Sequence, residues 1–65
     1  MKIEVNGEPR EIKSVDLESA LTELGWGAAR VATALNGTFV PAASRSGSVL
    51  SSGDRLEVLT AMQGG

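Results

Sequence analysis

One apolar stripe with the period of an α-helix governs the architecture open to this chain. Its four members recur at i, i+3, i+4 and i+7 and are Leu17, Ala20, Leu21 and Leu24. Asp16 is a suitable N-cap in front of them, and Gly25 stands where a residue in the left-handed conformation ends a helix. A single stripe of this kind is buried most economically against one face of a β-sheet.

Short segments with the character of strands surround the helix, and two hairpin signals connect them in pairs. Met1, Ile3 and Val5 alternate with polar residues, as in a half-buried strand. The predicted strands cover approximately residues 1–5, 9–13, 31–35, 38–40 and 55–59. The Asn-Gly pairs at 6–7 and 36–37 predict type I′ turns, because both central positions of that turn need a positive φ. Residues 41–48 are small and polar and predict a loop or a single 3₁₀ turn.

The predicted order ββαβ(β)β corresponds to an α+β domain of the β-grasp (ubiquitin-like) type. Pro9 places the second strand at an edge, because proline cannot donate to a ladder. With the first and last strands side by side in the middle, their alternate apolar residues meet under the helix: Met1, Ile3, Val5, Leu56 and Val58. The prediction is a mixed sheet of four or five strands with one helix on one face. No repeat or linker divides the chain, so residues 1–65 form one domain with a flexible tail at about 60–65.

Composition excludes several classes of function. The chain has no His and no Cys, which removes the usual general base, a thiolate nucleophile and the commonest metal ligands. Its net charge is −2 and its only aromatic residues are Trp26 and Phe39, so electrostatic binding to nucleic acid is disfavoured. No acid–base pair can be assembled, and we expect no enzymatic activity. The chain has neither a signal peptide nor a membrane span, which predicts a soluble, cytoplasmic protein.

The tail is the segment best suited to chemistry. It ends in Gly64-Gly65, and since glycine has no Cβ these residues can pass through a narrow channel in another protein. The terminal carboxyl of Gly65 is also unhindered. The stretch from Thr60 to Gly65 spans at most roughly 20 Å when extended, enough to enter a partner's active site. We expect Gln63 and Gly64 to enter with it, and the soft side chain of Met62 to be gripped there.

Several segments, in this order, resemble the bacterial sulfur carriers of thiamine biosynthesis, the ThiS family. They are Val31-Ala32-Thr33-Ala34-Leu35-Asn36-Gly37, Phe39-Val40-Pro41, Gly53-Asp54-Arg55-Leu56-Glu57-Val58 and Met62-Gln63-Gly64-Gly65. The similarity spans the whole chain. Relatives often carry an acidic residue where Thr38 stands and a basic one where Ala42 stands, so the partner surface departs from the family pattern.

The resemblance implies a mechanism and a set of partners. A ThiF-type adenylyltransferase, using ATP and Mg²⁺, would convert the carboxylate of Gly65 to an acyl-adenylate. Sulfur from a donor pathway such as a cysteine desulfurase would displace AMP and leave a thiocarboxylate. Thiazole synthase would then take the sulfur for thiamine. The carrier itself would bind no cofactor and no metal.

Two apolar residues are candidates for a partner interface, and other functions stay open. Strand alternation turns Leu59 away from the helix, where it and Val40 would form part of a docking patch. Alternatively, Leu59 is a scattered surface residue or is covered by residues 41–48. The alternative functions are a related carrier for molybdopterin or cysteine synthesis and a ubiquitin-like binding module that is never activated.

Overall fold

The computed structural model describes residues 1–27 and 29–60 of the chain. In chain order the elements are β1 (Lys2–Val5), β2 (Glu8–Glu11), α1 (Leu17–Glu23), β3 (Val31–Leu35), β4 (Thr38–Val40), a 3₁₀ helix (Ala42–Gly47) and β5 (Arg55–Thr60). All the predicted strands are present, and residues 41–48, predicted to be a loop or a single 3₁₀ turn, contain a 3₁₀ helix of six residues.

The strands form one mixed sheet, which confirms the predicted fold class. Their order is β2-β1-β5-β3-β4, with β1 parallel to β5 and every other neighbouring pair antiparallel. β1 and β5 therefore lie side by side inside the sheet, and β2 lies at an edge, as predicted. The helix covers one face of the sheet and leaves the other face open.

The boundary of β2 differs from the prediction of residues 9–13. The strand begins at Glu8, and Pro9 pairs with Glu4 across the ladder. Ile12 still donates its N–H to the carbonyl of Met1 at 2.8 Å, but the N–H of Lys13 turns away to a carboxylate of the helix. That non-local contact ends the strand earlier than the residue pattern indicates.

Both Asn-Gly turns have the expected backbone and are tied to β5 by their side chains. The φ angles are 50° and 85° for Asn6 and Gly7, and 50° and 84° for Asn36 and Gly37. The amide of Asn6 accepts from the N–H of Val58 at 2.8 Å and donates to its carbonyl at 3.1 Å. Asn36 accepts from the N–H of Arg55 at 2.9 Å. The two hairpins thus hold β5 from both sides.

The helix is capped at both ends as its sequence predicts. Asp16 accepts a hydrogen bond from the N–H of Ser19 at 2.9 Å, which satisfies one of the free donors of the first turn. Gly25 has φ 103°, and beyond it the N–H of Trp26 donates to the carbonyl of Leu21 at 2.8 Å. This bond is the 6→1 contact of a Schellman motif, and it brings Trp26 against the core.

The core lies between the helix and the sheet. Its buried apolar residues are Ile3, Val5, Ile12, Leu17, Ala20, Leu21, Val40, Leu50, Leu56 and Val58. The predicted members Met1 and Leu24 are half-buried at its margin. Leu50 was not predicted, and it reaches the core because its N–H donates to the carbonyl of Val15 at 2.8 Å.

Glu23, the last residue of the helix, is exposed, yet it holds the segment that leads into the helix. Its carboxylate accepts from the hydroxyl of Ser14 at 2.6 Å and from the backbone N–H groups of Lys13 and Ser14 at 3.0–3.1 Å. These hydrogen bonds, the Ser14 hydroxyl first, hold the pKa of Glu23 below its ordinary value of 4.5.

We therefore expect Glu23→Gln to lower the stability of the fold at neutral pH. A carboxyl whose pKa is depressed by folding adds stability above its ordinary pKa, and this contribution is lost as the pH falls through the lower, folded-state pKa. The difference in urea midpoint between wild type and variant should thus be present at pH 7 and shrink in strong acid. Glu18→Gln, the same charge change on the same helix, is the control. An equal Glu23→Gln deficit at both pH values would contradict the assignment.

Candidate functional site

The site is organised by β5, whose last residue is the base of the tail. Thr60 ends the strand and pairs with Val31 of β3. The predicted tail residues Met62, Gln63, Gly64 and Gly65 lie outside the described residues. The geometry therefore concerns the strand that leads into the tail and the surfaces on either side of it.

Leu59 is presented on the open face of the sheet, as strand alternation predicts. Leu56 and Val58 are buried under the helix, whereas Leu59 is 70% exposed. The alternative in which residues 41–48 cover Leu59 is wrong, since an exposure this high leaves most of the side chain in contact with solvent.

Leu59 is one wall of a shallow groove on the open face, which we call the open-face groove. It has a volume of about 660 Å³, and its lining includes Ala32, Ala34, Phe39 and Leu59 together with the charged residues Glu4, Arg55 and Glu57. The register explains the neighbours, because Ala32 lies opposite Leu59 and Ala34 lies opposite Phe39. Small alanines between two exposed large side chains, Phe39 at 65% and Leu59 at 70%, leave room for an apolar partner group.

The assignment of Val40 to this surface is corrected by the structure. Val40 is 8% exposed and belongs to the core. It pairs with Thr33, which is itself buried, so both side chains point toward the helix. Phe39, the neighbour of Val40, takes the outward position by alternation. The residues of this three-residue strand alternate between the two faces of the sheet, but which of them face inward depends on the pairing with β3.

Arg45 is a residue that the sequence analysis missed. It lies in the 3₁₀ helix and donates from Nη2 to the carbonyl of Val31 at 2.6 Å and from Nε to the hydroxyl oxygen of Thr33 at 3.2 Å. Carbonyls two residues apart point to the same side of a strand. The carbonyl of Val31 therefore points to the edge of β3 along which Thr33 pairs with β4. Because β4 ends before Pro41, the guanidinium fills the position that a longer β4 would occupy.

Within residues 1–27 and 29–60, no group of three or more His, Cys, Asp or Glu side chains is placed to hold a metal ion. In the same part of the chain, no helix has the length and hydropathy needed to cross a membrane. Thr33, the one buried polar side chain among these residues, donates its hydroxyl to the carbonyl of Val40 at 2.8 Å.

Comparison with known proteins places this geometry in context. The family model described as the ThiS family matches residues 3–65. A crystal structure of a thiamine biosynthesis protein (ThiS) from Geobacter metallireducens is 28% identical, with a TM-score of 0.84 and full coverage of both chains. An NMR solution structure of a thiamine biosynthesis protein from the same organism is 26% identical, with a TM-score of 0.80, and the match covers all of this chain and 88% of that one. No curated protein sequence gives a significant match.

Proposed function

Because the chain belongs to the ThiS family, we propose that it is a sulfur carrier protein that bears the sulfur at Gly65. The observation that carries the proposal is the family match, which runs from the first strand to the terminal glycine pair. The likeness in fold to two structures described as thiamine biosynthesis proteins supports thiazole formation as the destination of the sulfur.

The proposed chemistry needs activation by a partner. A carboxylate is a poor electrophile, so a ThiF-type adenylyltransferase with ATP and Mg²⁺ joins the Gly65 carboxylate oxygen to the α-phosphorus and releases pyrophosphate. The terminal sulfur of a donor persulfide, such as one from a cysteine desulfurase pathway, then attacks the acyl carbon, and AMP leaves. A second thiol cleaves the S–S bond of the acyl disulfide so formed, which leaves a disulfide on the donor side and a thiocarboxylate on Gly65. The resulting thiocarboxylate is the nucleophile that thiazole synthase uses. The carrier's own contribution is to position the acyl group, and binding of ATP and Mg²⁺ belongs to the enzyme.

The fold supplies a rigid base for such an arm. β5 pairs with β1 on one side and with β3 on the other, and the amides of Asn6 and Asn36 add hydrogen bonds to its backbone. The last residues of β5, Leu59 and Thr60, pair with β3 alone, and this pairing sets the position and direction from which the tail begins. An enzyme that recognises the domain can therefore find the tail at a set distance from its contact surface.

We assign the contact surface to the open-face groove and its occupant to the adenylyltransferase. Leu59 faces the groove one residue before β5 ends, so an enzyme that encloses the tail must lie against this part of the sheet. Exposed apolar side chains become energetic anchors when a partner removes them from water. Leu59 and Phe39 are the anchors, and the charged rim is suited to orient the partner.

The test is the intact mass of the protein after incubation with ATP, Mg²⁺, a ThiF-type enzyme and a sulfur source. We expect a product heavier by the difference between one sulfur and one oxygen atom, with the change located at Gly65 by fragmentation. Omitting ATP should prevent it. An unchanged mass, with an enzyme proven active on another carrier, would reject the proposal in favour of a binding module or a different activating enzyme.

A further inference from the structure

Two arginines lie near the start of β3, the strand whose first residue pairs with the last residue of β5. Arg30 is exposed and directly precedes the strand. Arg45 reaches the first residue of the strand, Val31, from the 3₁₀ helix. Val31 in turn lies opposite Thr60, the last residue of β5. Arg45 thus carries a positive charge across β3 from the base of the tail, and Arg30 adds a second basic residue at the start of the same strand, in a chain whose net charge is −2.

One edge of the Arg45 guanidinium is fixed by hydrogen bonds, and its other edge has no partner among the described residues. Its Nε and one Nη2 hydrogen are used by Thr33 and Val31. Thr33 is a firm anchor, since it is 1% exposed and its own hydroxyl donates to the carbonyl of Val40. A guanidinium has five N–H donors in a planar fork. The end-on edge, formed by Nη1 and the second Nη2 hydrogen, donates to no group within residues 1–27 and 29–60.

This free edge has the geometry that binds a carboxylate. Two parallel N–H groups match the two oxygens of Asp or Glu in a bidentate pair. The described residues contain one ion pair, between the amino group of Met1 and Glu11. No carboxylate among them therefore lies within ion-pair distance of Arg45 or Arg30. Because hydrogen bonds to Val31 and Thr33 already hold the Arg45 side chain, a ligand would need to restrict it little further.

We propose that Arg45, assisted by Arg30, forms a carboxylate-binding site that pairs with acidic side chains of the adenylyltransferase at the entrance that admits the tail. The proposal rests on the proposed function and extends it to the recognition of that enzyme. The carboxylate of the chain's own tail is the weaker candidate, because an exposed ion pair is screened by water and salt. An enzyme that closes over the tail excludes that water and strengthens the pair.

The test compares four variants for binding to the adenylyltransferase. Arg45→Gln should weaken the Kd by about 30-fold or more, the loss typical of removing one partner from a desolvated charge pair. Arg45→Lys should lie between Arg45→Gln and wild type, because it keeps the charge and loses the fork. Arg30→Gln should give a smaller loss. Arg10→Gln, the same charge change on the edge strand β2, is the matched control and should bind as wild type.

A further experiment separates recognition from the structural part that Arg45 plays. Arg45→Glu should bind poorly, and reversal of the paired acidic residue of the enzyme to Lys should restore binding. Rescue of this kind cannot come from stability alone. If Arg45→Glu fails to fold, the same charge reversal in both proteins can be made with Arg30→Glu, because Arg30 is exposed and lies outside the strands.

The outcomes distinguish this proposal from the function on which it rests. If wild type gains sulfur and Arg45→Gln binds no worse than Arg10→Gln, the carboxylate site is rejected and the carrier function stands. A binding loss without rescue at either arginine also rejects it. If wild type is not adenylated at all, both proposals fail.

Discussion

A chain that lacks Gly64 and Gly65 should fold normally and accept no sulfur. Among the described residues, the buried core lies between positions 3 and 58, and the two deleted glycines have no side chain that could add to it. It does remove the acyl group that becomes the adenylate, and it places the side chain of Gln63 next to the new terminal carboxylate. In the intact-mass assay the sulfur adduct should fall below detection, while circular dichroism and the urea midpoint stay at wild-type values.

Two further variants show whether the position or the residue type matters. One added alanine after Gly65 moves the carboxylate and gives it a Cβ, and it should abolish the adduct as completely as the deletion. Gly47→Ala also removes a glycine, but an added Cβ at Gly47 meets no atom within 4 Å, so this control should react normally. Sulfur found on the shortened chain would exclude Gly65 as the site of transfer.

Leu59→Asp should leave the fold intact and weaken activation by roughly 30-fold or more, the loss that defines a hot spot. Leu59 is 70% exposed, so its replacement costs the domain little. In the complex, however, the new carboxylate would be removed from water without a partner, beside Glu57 on the same face of β5. The measurement is kcat/KM of adenylation as the carrier concentration is varied.

The matched control for this experiment is Val49→Asp. Val49 is 73% exposed and lies outside the open-face groove, so it undergoes the same chemical change away from the proposed contact. A folded Leu59→Asp protein that is adenylated as efficiently as Val49→Asp would contradict the docking surface. Phe39→Ser offers a second position on the same face, and we expect its effect to follow that of Leu59→Asp.

Features set by local physics could be predicted from the sequence. The helix follows from its apolar spacing and its capping residues Asp16 and Gly25. The Asn-Gly turns follow from the need for positive φ at two successive residues. The outward direction of Leu59 follows from alternation with Leu56 and Val58, which anchor the phase of a longer strand in the core.

Features set by distant pairing could not be predicted in this way. Which residues of the three-residue strand β4 face the core depends on which residue of β3 lies opposite them. For that reason the assignment of Val40 to the interface was wrong, and Phe39 was not assigned to it. Glu23 and Arg45 bind backbone groups about ten or more residues away. Because nearly every residue offers the same backbone groups, the sequence does not show where such a partner lies. Phe39 and Arg45, the two site residues missed, both needed the sheet register to be found.

The neighbouring places of β1 and β5 in the sheet tie recognition to the folded state. Glu4 pairs with Arg55 and Val5 with Leu56, contacts between the two ends of the described chain, whose closure is slow relative to local structure. Until they form, β5 is paired with β3 alone, and the part of the open-face groove that Glu4 lines is absent. On the proposed function, we therefore expect the adenylyltransferase to consume ATP on correctly folded copies and to leave misfolded ones uncharged.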